Sequence, residues 1–200
     1  MEISPLEPSS QRRLVIGGAR SGKSWFAESL VTDAAQLDYV ATSERRADDP
    51  EWEARLAAHI ARRPAHWRTV ETLDIASVLA EPGPPVLVDC LTLWLTRAMD
   101  LDGCWPDTPD AAWSPAAGDG RADGLARVAE RIDALVAALT ATTREVIMVT
   151  NEVGQGVVPA TASGRLFRDQ MGVLNLRIAR VCDEVWWVVA GLPTRLQGRG

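Results

Sequence analysis

Leu14-Val15-Ile16-Gly17-Gly18-Ala19-Arg20-Ser21-Gly22-Lys23-Ser24-Trp25-Phe26 carries an apolar run, a glycine-rich turn and the opening of an amphipathic segment. Residues 17–24 satisfy G-x-x-x-x-G-K-[ST], set between a strand-like run and a helix-like one, which is the context a phosphate-binding loop needs. Glycines let the backbone curl so that its N–H groups face phosphate oxygens, and the following helix start adds positive potential. Lys23 is placed to reach β- and γ-phosphates, and Ser24 to ligate Mg²⁺. A nucleoside triphosphate site is therefore expected at Gly17, Gly18, Ala19, Arg20, Ser21, Gly22, Lys23 and Ser24.

Beyond this loop, short apolar runs alternate with helical patterns. Leu37 to Ala41, Val86 to Val88, Val146 to Val149 and Val185 to Ala190 read as further strands. Phe26, Ala27, Leu30 and Val31 share one helical face, as do Val128, Ile132, Leu135, Val136 and Leu139, and Phe167, Met171, Leu174, Ile178 and Val181. Asp49 before Pro50 predicts a helix start, the helix running to about Arg62. Another helix is expected over Leu91 to Ala98. Strands that are apolar almost throughout predict an α/β fold, a mainly parallel sheet with helices on both faces. Residues 102–124 are rich in Gly, Pro, Asp and Ala without a sustained period and are expected to form a long loop.

The chain has 200 residues, 46% hydrophobic and 24% charged, enough for one substantial core. The expectation is a flexible lead-in over residues 1–12 and a single domain over 13–200. Lys plus Arg number 21 against 27 Asp plus Glu, a net charge of −6 with no basic run, which argues against a dedicated nucleic-acid binder. No apolar run approaches the roughly 20 residues of a membrane helix, and the first residues lack a secretory pattern, so a cytoplasmic protein is expected. Cys90, Cys104 and Cys182, odd in number and widely spaced, are expected as reduced thiols.

A triphosphate site of this kind needs a second acid at a neighbouring strand end to hold the metal through water, and Asp89, closing Val86-Leu87-Val88, is the candidate; the alternative is a cap on the next helix. Asn151 and Glu152 close another apolar run and are placed for substrate or metal, or for an ordinary polar turn. His59 falls at the margin of its helix's apolar stripe and on spacing alone reads more readily as packed than as catalytic. His66 lies in a Pro-containing turn. Arg165 and Arg168 either clamp a phosphate or pair with Asp169.

Taken in order, GGARSGKS at 17–24, YVATS at 39–43, RLAAH at 55–59, WRTVE at 67–71, LVDCLT at 87–92, TNEVGQGVVP at 150–159 and RLFRD at 165–169 resemble the adenosylcobinamide kinase / adenosylcobinamide-phosphate guanylyltransferase family over roughly residues 14–193. The resemblance implies a bifunctional enzyme of cobalamin biosynthesis and salvage. It would phosphorylate adenosylcobinamide with ATP or GTP, then transfer GMP from GTP to adenosylcobinamide phosphate through a guanylyl-histidine, releasing pyrophosphate. It makes His59 the nucleophile. Some family members carry two adjacent histidines where this chain has Ala58-His59, which leaves a kinase-only member as a second reading. A GTP-binding regulatory module is a third, opposed by the lack of an N-K-x-D element. Matched by motif, nucleotide contacts extend to Ala41, Thr42, Ser43, Ile60, Ala61, Arg62, Arg63, Glu71 and Asp89, with Ser24 and Asp89 serving Mg²⁺. Geometry suggests Asn151, Glu152, Arg165 and Arg168 for the corrinoid. The family also favours a homo-oligomer, a trimer.

Overall fold

The computed structural model describes residues 11–43, 54, 57, 60–61, 63–106 and 121–198. Its strands are β1 (Arg12–Gly17), β2 (Leu37–Ala41), β3 (Trp67–Glu71), β4 (Val86–Asp89), β5 (Val146–Asn151), β6 (Glu184–Val189) and β7 (Leu192–Gln197). Its helices are α1 (Lys23–Ser29), α2 (Ile75–Ala80), α3 (Leu91–Leu101), α4 (Arg121–Ala141) and α5 (Ala162–Ala179). One seven-stranded sheet runs in the order β3-β2-β4-β5-β1-β6-β7, parallel throughout except for β6 with β7.

Alternation along the strands divides the core between the two faces. Leu14, Val40, Val86, Val88, Val146, Met148 and Val185 meet residues of α2, α3, α4 and α5, including Leu79, Leu95, Leu135, Met171 and Leu174. Val15, Tyr39, Ala41, Leu87, Ile147, Val149 and Val188 form the other cluster, with Ala27 of α1. Among the described helices, four thus cover one face and α1 the other.

Several boundaries differ from expectation. Arg12 belongs to β1, its backbone N–H donating to Asp183 Oδ2 at 2.8 Å, so the packed chain begins before residue 13. Helix α1 stops at Ser29, short of Val31, while α3 continues past Ala98 to Leu101. The expected 102–124 loop is shortened at both ends. Asp102 and Cys104 are buried, and residues 121–124 already form α4; residues 107–120 lie outside the described residues. Most of the helix expected over 49–62 also lies outside them, but Ala54, Ala57, Ile60 and Ala61 are helical. Cys90, Cys104 and Cys182 are buried free thiols. No helix among the described residues is long and apolar enough to cross a membrane.

Candidate active site at the phosphate loop

Parallel pairing brings the carboxyl ends of six strands to one edge. Gly17 stands opposite Asn151 and Val188, and Ala41 opposite both Glu71 and Asp89. The phosphate loop leaves β1 here. Gly22 takes φ 90° and Arg20 φ 56°, the left-handed conformations that reverse the chain into α1. A side chain at Gly17 would place Cβ 2.5 Å from Val188 O and 2.6 Å from Ser21 Oγ, so the first position must be glycine. Lys23 Nζ donates to Gly18 O at 3.1 Å, folding its side chain back over the loop. Burial pulls the Lys23 ammonium below its ordinary pKa, while Cys90 and Asp89 act in the opposite direction. The Ser21 hydroxyl oxygen is buried without a hydrogen-bond partner.

Asp89 reaches the site from farther away than its sequence position suggests. Its strand pairs with β2 and β5, and β5 separates it from β1, so the acid comes from the next-but-one strand. It does not cap α3, whose N-cap is Cys90 without a side-chain cap bond. Asp89 Oδ2 instead accepts the Tyr39 hydroxyl at 2.7 Å. Burial and the Asp89 charge hold the Tyr39 phenol far above its ordinary pKa, so it remains a donor. The opposite end of this contact is cationic: the Arg63 guanidinium carbon lies 3.6 Å from the Tyr39 ring centroid, and Arg63 Nη1 donates to Thr69 Oγ1 at 3.1 Å. From sequence, Tyr39 stands only in the Leu37 to Ala41 strand and the YVATS motif, with no role of its own; its signal is a polar-tipped residue in a run otherwise apolar past Asp38.

Thr42 is a structural tie. Its Oγ1 donates to Cys90 O at 2.7 Å and accepts from Cys90 N at 3.1 Å, which pins the β2 end to the residue after Asp89. Any nucleotide contact at Thr42 would be made by the backbone. Ser43 follows it, half-buried, and Glu71 ends β3 exposed. Ile60 and Ala61 are exposed and helical, and Arg63 N–H donates to Ile60 O. His59 and Arg62 lie outside the described residues. His66 is exposed in the turn before β3.

Glu152 N–H donates to Gly17 O at 3.1 Å, tying the end of β5 to the start of the phosphate loop. Asn151 N–H donates to Thr92 Oγ1 at 2.9 Å, and its carbonyl accepts from Asn175 Nδ2 at 3.0 Å. The Asn151 side-chain oxygen is buried without a hydrogen-bond partner. The arginines of α5 shape the loop that follows. Arg165 Nη1 donates to Pro159 O at 3.0 Å and Ala160 O at 2.6 Å, and Arg168 Nη2 to Gly154 O at 2.5 Å. These bonds go to loop carbonyls rather than to Asp169.

The edge therefore joins a phosphate cradle, a lysine and an acid, the composition of a nucleotide site. A family model described as cobinamide kinase / cobinamide phosphate guanyltransferase matches residues 13–196. The chain belongs to the cobinamide kinase / cobinamide phosphate guanyltransferase family. Family membership makes it a transferase, and relatives match it nearly end to end. The bifunctional adenosylcobalamin biosynthesis protein CobP of Pseudomonas aeruginosa is 43% identical over 192 residues, 94% of this chain and 98% of its own length. CobU of Salmonella typhimurium, of the same description, is 41% identical over 189 residues, covering 92% of this chain and 98% of its own. A solved ATPase from the type III secretion system of pathogenic bacteria superposes with a TM-score of 0.50 at 14% identity, over 93% of this chain and 58% of that one. That likeness shows the P-loop fold alone.

Mg²⁺ fits the donors present. The Ser24 hydroxyl and Asp89 carboxylate are hard oxygens, and Mg²⁺ commonly takes only one or two protein ligands beside phosphates and water. Among the described residues no three His, Cys, Asp or Glu side chains could hold a metal by themselves, so one bound here would share the substrate's phosphates.

Proposed function

We propose that this chain performs both reactions for which its family is named. In the first, the hydroxyl oxygen of adenosylcobinamide attacks the γ-phosphorus of ATP or GTP, and the nucleoside diphosphate leaves. Loop N–H groups and Lys23 hold the phosphates and offset the charge that builds on them, which is most of what phosphoryl transfer asks of a protein. Mg²⁺ held by Ser24 and Asp89 would supply further neutralisation between the phosphates. Tyr39 keeps the Asp89 carboxylate oriented. In the second reaction, an imidazole nitrogen of His59 attacks the α-phosphorus of GTP: a P–N bond forms, the P–O bond to pyrophosphate breaks, and a phosphate oxygen of the acceptor then takes the GMP and restores the histidine.

The observation that carries this reading is the convergence of the Gly17–Ser24 loop, Lys23 and Asp89 on one sheet edge in a chain of this family. The corrinoid is assigned to the same edge, beside Asn151 and Glu152, with Arg165 and Arg168 acting through the loop they hold. A cytoplasmic homotrimer completes the proposal, and sedimentation of the purified chain tests its stoichiometry.

The deciding experiment incubates the protein with Mg²⁺ and GTP labelled at the α-phosphate, then tests the denatured protein for acid-labile, alkali-stable label. The wild type and His66→Ala are expected to label, and His59→Ala not to. An unlabelled wild type that still phosphorylates adenosylcobinamide would identify a kinase alone, as Ala58 allows.

A further inference from the structure

Strand β7 exposes all six of its residues and buries little apolar surface. The turn that leads into it has a different importance. Ala190 at φ 51° and Gly191 at φ 80° form the two-residue link between paired Val189 and Leu192, both in the left-handed region that tight hairpins favour. Gly191 N–H donates to Ser21 O at 2.8 Å. The phosphate loop leans on this hairpin at both of its motif glycines. A Cβ on Gly22 would lie 3.1 Å from Gly191 Cα, and one on Gly17 2.5 Å from Val188 O.

A trans peptide points its C=O and N–H in opposite directions. Holding the Ser21 carbonyl toward Gly191 therefore turns the Gly22 N–H of the same peptide away from the hairpin. We propose that Gly191 is a positioning residue for nucleotide binding: its N–H fixes the Ser21–Gly22 peptide so that the Gly22 N–H faces a phosphate of the bound nucleotide. A donor aimed before the anion arrives needs no reorganisation when it binds. The inference rests on reading residues 17–24 as a nucleotide-phosphate cradle.

The test removes one hydrogen. Cys182 permits native chemical ligation of a thioester of residues 1–181 to a synthetic segment of residues 182–200, with no change of sequence at the junction. Three refolded chains are compared: the natural segment, a glycolate ester at Gly191, and the same ester at Gly198 as a chemical control. Affinity for a fluorescent GDP is measured in EDTA, beside thermal stability and the steady-state constants of the kinase step. The Gly191 ester is expected to weaken GDP at least tenfold and to raise the nucleotide KM far more than it lowers kcat, because the contact serves ground and transition states alike. The Gly198 ester is expected to match the natural segment in affinity.

Equal GDP affinity in the Gly191 and Gly198 esters would overturn the proposal while leaving the cradle reading intact. Failure of the natural ligated chain to bind GDP would remove the cradle reading, and the proposal with it. Hydrogen exchange on the unmodified protein gives a second test that needs no refolding. The Gly191 amide must be protected, and more so with GDP bound; exchange at the rate of an unprotected glycine would rule the contact out.

Discussion

Asp38 and Lys23 are both charged groups drawn out of water, and the protein treats them differently. Asp38 is 1% exposed and meets two arginines: Arg144, itself buried, donates to Oδ2 at 2.5 Å, and Arg68 donates to Oδ1 at 2.7 Å. Arg144 also reaches Pro84 O at 2.7 Å and Val78 O at 2.8 Å, so one guanidinium joins β2 to the approach to β4. Breaking such a pair strands a buried charge, at a cost of about 3–5 kcal/mol. Asp38→Asn should lower unfolding stability by that order in urea titration, and a loss below about 1 kcal/mol would contradict the pairing. Lys23 is also desolvated, but its ammonium donates to the Gly18 carbonyl rather than to a carboxylate. On the proposed function, its burial serves a ligand rather than the fold. Lys23→Met should therefore leave the urea midpoint unchanged or raised, while kcat/KM of the kinase step falls by about 10²-fold or more, as for loss of one preorganised charge-stabilising donor.

Helix α4 carries a glycine where helix propensity asks for alanine. Gly124 lies one turn into the helix, where alanine would ordinarily add about 1 kcal/mol. Here a Cβ would stand 2.4 Å from Asp102 O and 3.2 Å from Cys104 Sγ, because α4 packs directly on the chain leaving α3. The same junction is closed by Arg131, which donates to both Asp102 carboxylate oxygens, and by Arg127 Nη2, which donates to Asp102 O at 2.9 Å. Gly124→Ala should thus reverse the usual sign and destabilise by about 1–3 kcal/mol, measured as a shift in denaturation midpoint. The stripe of α4 was legible from Val128, Ile132, Leu135 and Leu139, all buried. Three elements were not read as such. Strand β3 has exposed residues at Arg68, Thr69 and Glu71, and α2 has only six residues, although Asp74 offered a cap signal that its bond to Ser77 N fulfils. Strand β7 has neither apolar alternation nor burial, and contains Pro193. It exists through pairing with β6, which no local pattern announces.

Across the molecule, carboxylates stitch distant segments together, and they set an acid limit. Hydrogen bonds from Arg131 hold the Asp102 carboxyl below its ordinary pKa against burial, and Arg12 does the same for Asp183. For Asp38 burial pushes upward, but Arg68 and Arg144 prevail and the net direction is down. A carboxyl depressed in the folded state contributes stability above its unfolded pKa of about 3.9, and that contribution is lost as pH falls through the folded value. Thermal midpoints should accordingly be level from neutral pH to about pH 5 and fall progressively below about pH 4. A profile that stays level to pH 2 would show that these pairs contribute nothing net.

The strand, the glycine turn, the lysine and the helix behind it are local in the chain, and the conformations they need are carried by their own residues, so residues 14–26 sufficed to announce a phosphate loop. The order of motifs likewise sufficed for the family. Sheet order decided the rest. It inserted β5 between the loop and Asp89, placed Tyr39 against that acid, spent the Thr42 side chain on Cys90, and seated the Gly191 turn behind the loop. The Gly191 contact runs between backbone atoms, and all of these pairings join residues far apart in the chain. Backbone groups are the same at every residue, and a pairing across distant strands has no periodicity, so only folding could reveal them.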